Sequence, residues 1–250
     1  MLKTSLTSVT FRQKEPEEIV RLAARAGLDA IEWGGDIHLP PGSPATAEKI
    51  RQCTETHGLA VSAYGSYYRA GPDEDFAAVL ATAQALGCRL IRVWAGAQGS
   101  AAMPPEERAA LASRLRQAVR AAESTGCTVA TEYHANTLTD TLDSTLALLA
   151  AVPGLRTFWQ PPVGLAEAEN RRALDALSPA VESLHVYHRD DAGEKRPLAE
   201  GRDAWRGYLA RAAALPGIHY ATLEFVQNDS EAQFFQDAAV LRELVEEVWP

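Results

Sequence analysis

Basic residues are in short supply in this 250-residue chain: 24 lysines and arginines face 33 aspartates and glutamates, for a net charge of −9. Proteins that grip nucleic acid draw much of their affinity from neutralised phosphates and carry a basic excess or stripe. The deficit argues against a nucleic-acid partner. No stretch approaches the roughly 18 continuous apolar residues of a membrane span, so no membrane partner is expected either. Cysteine is scarce: Cys53, Cys88 and Cys127 lie far apart without C-x-x-C spacing and read as reduced thiols. The opening MLKTSLTSVTF lacks the apolar core of a secretion signal, so the expected compartment is the cytoplasm. Also missing are a G-x-G-x-x-G after the first strand and a P-loop, which weakens an open, nucleotide-binding doubly wound sheet.

What the chain does have is a repeated joint: a helical run, a glycine, one residue, then a β-rich run. It occurs in RAGLDAIEW, THGLAVSAY, ALGCRLIRVW, STGCTVATEY, VPGLRTFWQ and LPGIHYATLEF, around Gly27, Gly58, Gly87, Gly126, Gly154 and Gly217. Glycine just past a helix end enters the left-handed conformation without a Cβ penalty, and the strand follows through a short loop. Two intervening helices show their faces. EPEEIVRLAARAG puts Pro16 in its first turn and Ile19, Leu22, Ala23 and Ala26 on one side, and the longer run after MPPEE carries Leu111, Leu115 and Val119. KTSLTSVTF adds a strand before the first joint, and AVESLHVYH another between Gly154 and Gly217. Eight β-α units of about 30 residues predict a closed (β/α)₈ TIM barrel of the α/β class, one domain over residues 1–250.

Chemistry in such barrels sits where strands end. The second strand ends with Glu32, Asp36 and His38; the third with Tyr64, Tyr67, Tyr68 and Arg69; the fourth with Arg92 and Trp94. The fifth brings Glu132 and His134, the sixth Gln160, the seventh His185 and His188, and the eighth Glu224. Charges inside apolar strands are costly unless paired or metal-bound, so their recurrence at matching strand ends is informative. Carboxylate, imidazole and amide oxygen together suit Mn²⁺, Mg²⁺ or Co²⁺, with Zn²⁺ also compatible; the absence of thiolate argues against a structural zinc site.

ATEYHANTLTDT, SLHVYHRD, RPLAEGRDAW and ATLEFV together make the chain resemble the sugar phosphate isomerase/epimerase family, the xylose-isomerase-like barrels. That resemblance implies metal ligands Glu132, Gln160, His185 and Glu224, with Gln160 standing where the family usually has aspartate, and His188 where it usually has an acid. It implies isomerisation or epimerisation of a small-molecule sugar or sugar phosphate, with Glu132 and Glu224 as the catalytic carboxylates that move a proton beside a metal-bound carbonyl. Substrate contacts are expected from Glu32, His38, Tyr67, Arg69, Trp94, His134, His188 and Arg196, and self-association is compatible with the sequence.

Plainer readings stand beside these. Glu132 and Glu224 would otherwise be salt-bridge partners of Arg92 or Arg189, Glu32 an orienting partner of Arg92, and His38 and His134 loop caps. Arg69, Arg189, Lys195 and Arg196 lie in βα loops, where they hold an anionic substituent or simply face solvent. A metal-dependent dehydratase on the same scaffold and a non-catalytic sugar-binding barrel are the alternative functions. The DNA-cleaving, three-zinc branch is disfavoured by the charge and by Gln160.

Overall fold

All six joint glycines take positive φ, from Gly27 at 69° to Gly217 at 123°; Gly27, Gly58 and Gly87 directly follow the C-cap of their helix, while Gly126 and Gly154 lie two residues past it and Gly217 three. The computed structural model describes residues 2–215 and 217–249. The elements run β1 (Lys3–Thr7), α1 (Pro16–Arg25), β2 (Ala30–Gly34), α2 (Pro44–Thr56), β3 (Ala60–Gly65), α3 (Phe76–Ala85), β4 (Leu90–Val93) and α4 (Pro105–Glu123). They continue with β5 (Thr128–Glu132), α5 (Leu142–Ala151), β6 (Arg156–Trp159), α6 (Glu167–Leu177), β7 (Val181–Val186), β8 (His188–Arg189) and β9 (Lys195–Arg196). The last are α7 (Arg202–Ala213), β10 (Tyr220–Leu223) and α8 (Glu231–Val248).

Eight of these strands close a parallel barrel in the order β1-β10-β7-β6-β5-β4-β3-β2. Closure leaves the barrel no edge strand to protect. At α1, Pro16 opens the helix and Glu15 and Glu18 form a reciprocal capping box, while Ile19, Val20, Leu22 and Ala23 are buried. Along α4 the apolar stripe Leu111, Leu115 and Val119 is likewise buried. Apolar side chains therefore fill the space between sheet and helices.

The barrel interior is more polar. Ser5 and Ser62, on strands separated by β2, hydrogen-bond at 2.8 Å, and Ser183 lies 3.4 Å from Thr222. This hydroxyl layer lies below the residues at the C-terminal ends of the strands. Register brings Glu132 beside Phe158 and His185 beside Thr222.

The segment after β7, where the sequence places only a βα loop, carries a ladder of its own. Strand β7 ends at Val186, and His188 opens a short antiparallel ladder of β8 on β9, with His188 opposite Arg196. Its turn is held by Asp190, whose carboxylate accepts from the Ala192 and Glu194 amides. His188 thus belongs to a hairpin over the rim and not to the seventh barrel strand.

Candidate metal centre and active site

Because β5 ends at Glu132 and β10 at Leu223, Glu132 and Glu224 emerge at the same height, with His185 near the end of β7 between them. Each offers one ligand-type atom, and these atoms lie within 4.8 Å of one another. All three residues are at most 6% exposed. Gln160, the residue after β6, donates its amide to Glu132 Oε1 at 3.1 Å. Its other atom, Oε1, is buried and has no hydrogen-bond partner among the described residues. An acceptor left without a donor, beside two carboxylates and an imidazole, fits a cation better than it fits a closed hydrogen-bond network. The donor set Glu132, Gln160, His185 and Glu224 therefore suits a hard divalent ion.

A second set of groups holds these in place. Arg92 on β4 reaches Glu32 Oε1 at 2.8 Å and also pairs with Glu132 Oε2. Glu32 Oε2 takes His185 Nε2 at 2.9 Å, so Nδ1 is the nitrogen turned toward Glu132 (3.3 Å) and Glu224 (3.6 Å). A carboxylate on one ring nitrogen fixes the tautomer and frees the other as a ligand. Space for this stack comes from Gly65. A Cβ there would stand 2.6 Å from Arg92 Nη2 and 2.9 Å from Glu32 Oε1.

The charges follow from this arrangement. Burial pushes Glu32 and Glu132 toward the neutral form, but Arg92 and His185 outweigh it and hold both below the ordinary carboxylate range. Burial also opposes the charge on His185, yet the surrounding carboxylates raise it well above a normal imidazole. Glu224 goes up, first by burial and then by Glu132, against the pull of His185 and Arg92. With His185 neutral, three carboxylates against one guanidinium leave a charge of −2, which a divalent ion cancels.

Above the centre opens a cleft of about 340 Å³ whose walls include His134, Gln160, Tyr187, Arg189, Glu224 and Phe225. Trp94 packs edge-on against His134 at 4.6 Å and lies 6.0 Å from Tyr67, and Arg69 stacks over Trp94 at 4.9 Å. His134, Trp94, Tyr67 and Arg69 thus form a continuous row along the rim. Tyr67 also accepts from Arg12 at 2.7 Å.

Other expected substrate contacts are drawn elsewhere. His38 uses both ring nitrogens internally, on Ser8 Oγ at 3.0 Å and the Lys14 carbonyl at 3.2 Å. Glu32 is fully buried beneath the centre, bound to Arg92 and His185, so its geometry is that of an orienting group and not of a substrate contact. Arg196 is paired with Glu200 at 3.0 Å, and His188 packs against Gly201 beside a neighbouring cleft. Tyr187 and Phe225 had not been singled out from sequence. Their signal, positions just beyond His185 and Glu224, is weak for aromatics.

The chain as a whole is matched by known proteins. The xylose isomerase-like TIM barrel family matches residues 20–244. The chain belongs to that family. A curated relative, 3-dehydroshikimate dehydratase of Bacillus anthracis, is 30% identical over 162 residues, which is 60% of this chain and 58% of that protein. The match thus spans less than two thirds of that relative's length. Among solved structures, the probable 3-DHS dehydratase involved in petrobactin synthesis from Bacillus anthracis is similar with a TM-score of 0.80 and 23% identity, over 96% of this chain and 99% of that one. D-psicose 3-epimerase from Clostridium cellulolyticum H10 is similar with a TM-score of 0.72 and 14% identity, covering 99% of each chain. At these identities the structural likeness shows the fold. Among the described residues, no helix is long and apolar enough to cross a membrane.

Proposed function

We propose that this protein is a divalent-metal-dependent dehydratase that eliminates water from a hydroxylated carbonyl compound, 3-dehydroshikimate being the first substrate to test. The observation that carries this reading is the inequality of the two mouth carboxylates. Glu132 has both oxygens engaged, one by Arg92 and the other by Gln160 and His185. Among the described residues, the one ion-pair partner of Glu224 is His185, at 3.6 Å, and Glu224 lines the cleft. An epimerase inverts its carbon and so needs a second group on the opposite face to return the proton, and a clamped Glu132 is poorly suited to that. An elimination needs one carboxylate with an oxygen left over for the proton, which Glu224 keeps even when its other oxygen faces the cation. The expectation that Glu132 and Glu224 share proton transfer is therefore replaced by a division of labour, with Glu132 as holder and Glu224 as proton carrier.

Glu132, Gln160, His185 and Glu224 would hold the cation, which when bound polarises the substrate carbonyl as a Lewis acid. Glu224 takes the proton from the carbon beside that carbonyl. The electron pair forms a carbon–carbon double bond as the bond to the neighbouring hydroxyl breaks. Glu224 then returns the same proton to the departing oxygen, so water leaves and the carboxylate is restored. His134, with Trp94 packed edge-on against it, borders the cleft, where it fixes the substrate's orientation and narrows the path for water.

The 30% identity to a dehydratase supports the same choice. The test is a pair of assays with Mn²⁺ present. One follows 3-dehydroshikimate by the ultraviolet absorbance of an aromatic product, and the other follows D-fructose and D-psicose by chromatography. Aromatic product with unchanged ketoses supports the reading. Ketose interconversion without dehydration overturns it in favour of the epimerase.

A further inference from the structure

We infer that Arg189 is the anchor for a carboxylate on the substrate, so that the cleft selects hydroxylated carboxylic acids over neutral sugars. This deepens the proposed dehydratase reading and rests on it for the identity of the reacting end only. Four other cations around the mouth are already matched: Arg12 with Asp36 at 2.7 Å, Arg92 with Glu32 and Glu132, Lys195 with Asp229 at 2.5 Å, and Arg196 with Glu200. Arg69 has no such pair, but it stacks over Trp94 at 4.9 Å and is not on the walls of the cleft. Among the described residues, no carboxylate lies within 4.0 Å of Arg189. It is the one lysine or arginine on the walls of the cleft that Glu224 and Gln160 share. The other wall acid, Asp140, is turned to the Ser100 amide at 2.9 Å.

Arg189 is also held in a fixed pose. Its Nη1 donates to the Gly193 carbonyl at 2.7 Å, which ties it to the hairpin turn. Its guanidinium lies 5.1 Å from the Phe225 ring and 5.7 Å from the Tyr187 ring. Stacking restrains the plane of the guanidinium while leaving edge N–H groups for a planar, two-oxygen partner. The Phe225 platform carries a cost of its own. Its φ is 58°, in the left-handed region that a phenylalanine avoids, with its amide held by Thr10 Oγ1 at 3.1 Å. Such strain persists where surrounding structure enforces it, often at ligand sites. Here it sets a ring immediately after Glu224 and so places the Arg189 fork relative to the proton carrier.

The experiment compares two probes on Mn²⁺-loaded protein by titration calorimetry: 3,4-dihydroxybenzoate, and catechol, which has the same adjacent hydroxyls without the carboxylate. Wild type is expected to favour the acid at least about tenfold, the scale of a charge-assisted bidentate contact. Arg189→Gln should abolish that preference and leave catechol affinity unchanged, which shows the rest of the site intact. Arg189→Lys should keep part of it, as a point charge without the fork. An undiminished preference in Arg189→Gln, no preference in wild type, or binding of neither probe overturns the assignment. Turnover of 3-dehydroshikimate is scored separately. Lost preference without turnover upholds Arg189 and rejects the dehydratase, and turnover with an undiminished preference does the reverse.

Discussion

Replacing Gln160 with glutamate changes the charge of the centre by one unit while keeping the length of the side chain. In the metal-free protein the amide that donates to Glu132 at 3.1 Å becomes a second carboxylate facing the first. The lost hydrogen bond to a charged group costs about 1–3 kcal/mol. Two unit charges near 4 Å repel by about 4 kcal/mol at an effective dielectric constant of 20, part of which is relieved when one carboxylate takes up a proton. The metal-free variant should therefore be about 2–4 kcal/mol less stable than wild type. At about 2–4 °C per kcal/mol for a chain of this size, that lowers Tm by on the order of 5–15 °C. With a divalent ion the sign reverses, because the added charge faces a cation: Mn²⁺ affinity should rise at least about tenfold, or 1.4 kcal/mol. Melting curves with and without Mn²⁺, together with a metal titration, read both effects. Unchanged Tm in the metal-free form and unchanged affinity would mean that Gln160 does not face the ion, and the centre would have to be redrawn around Glu132, His185 and Glu224.

Arg92→Met should leave Glu32 and Glu132 buried without a cation, lowering stability by about 3–5 kcal/mol; a thermal melt within 2 °C of wild type would show that the stack does not depend on this arginine. Glu224→Gln should cut kcat by roughly 10²–10⁴ with Tm nearly unchanged. Glu132→Gln should show first as lost metal, since it removes a ligand and one of the two Arg92 partners. If both variants lose kcat alike and keep the ion, the two carboxylates share the proton chemistry after all.

The barrel was legible because its signals are local. Each joint glycine needs only its own helix end, and the α1 and α4 stripes are visible within a single window of sequence. The gathering of Glu132, Gln160, His185 and Glu224 at one end of the barrel was legible for a related reason: strand ends can be placed one at a time. What failed was partner choice. His38 reads as a rim residue until the first loop folds back to offer Ser8 and Lys14. Glu32 reads as a substrate group until β2, β4 and β7 are brought together around Arg92 and His185, contacts that span 60 and 153 residues of sequence. The β8–β9 hairpin was hidden because strands of two residues have no periodicity. The positive φ of Phe225 was hidden because nothing in the residue type announces it.

The central claim, one divalent ion among Glu132, Gln160, His185 and Glu224, is tested most directly by titrating Mn²⁺ into metal-free protein in buffers of different ionisation enthalpy. Without the ion, His185 and Glu224 both bind protons more tightly than usual. Ligation needs His185 neutral and Glu224 ionised, so those protons must leave. Affinity should therefore weaken as pH falls, and strengthen as pH rises until both groups are already deprotonated. The expected result is one ion per chain, bound with a net release of protons. Binding below one ion per chain, or binding indifferent to pH and to Glu132→Gln, would contradict it.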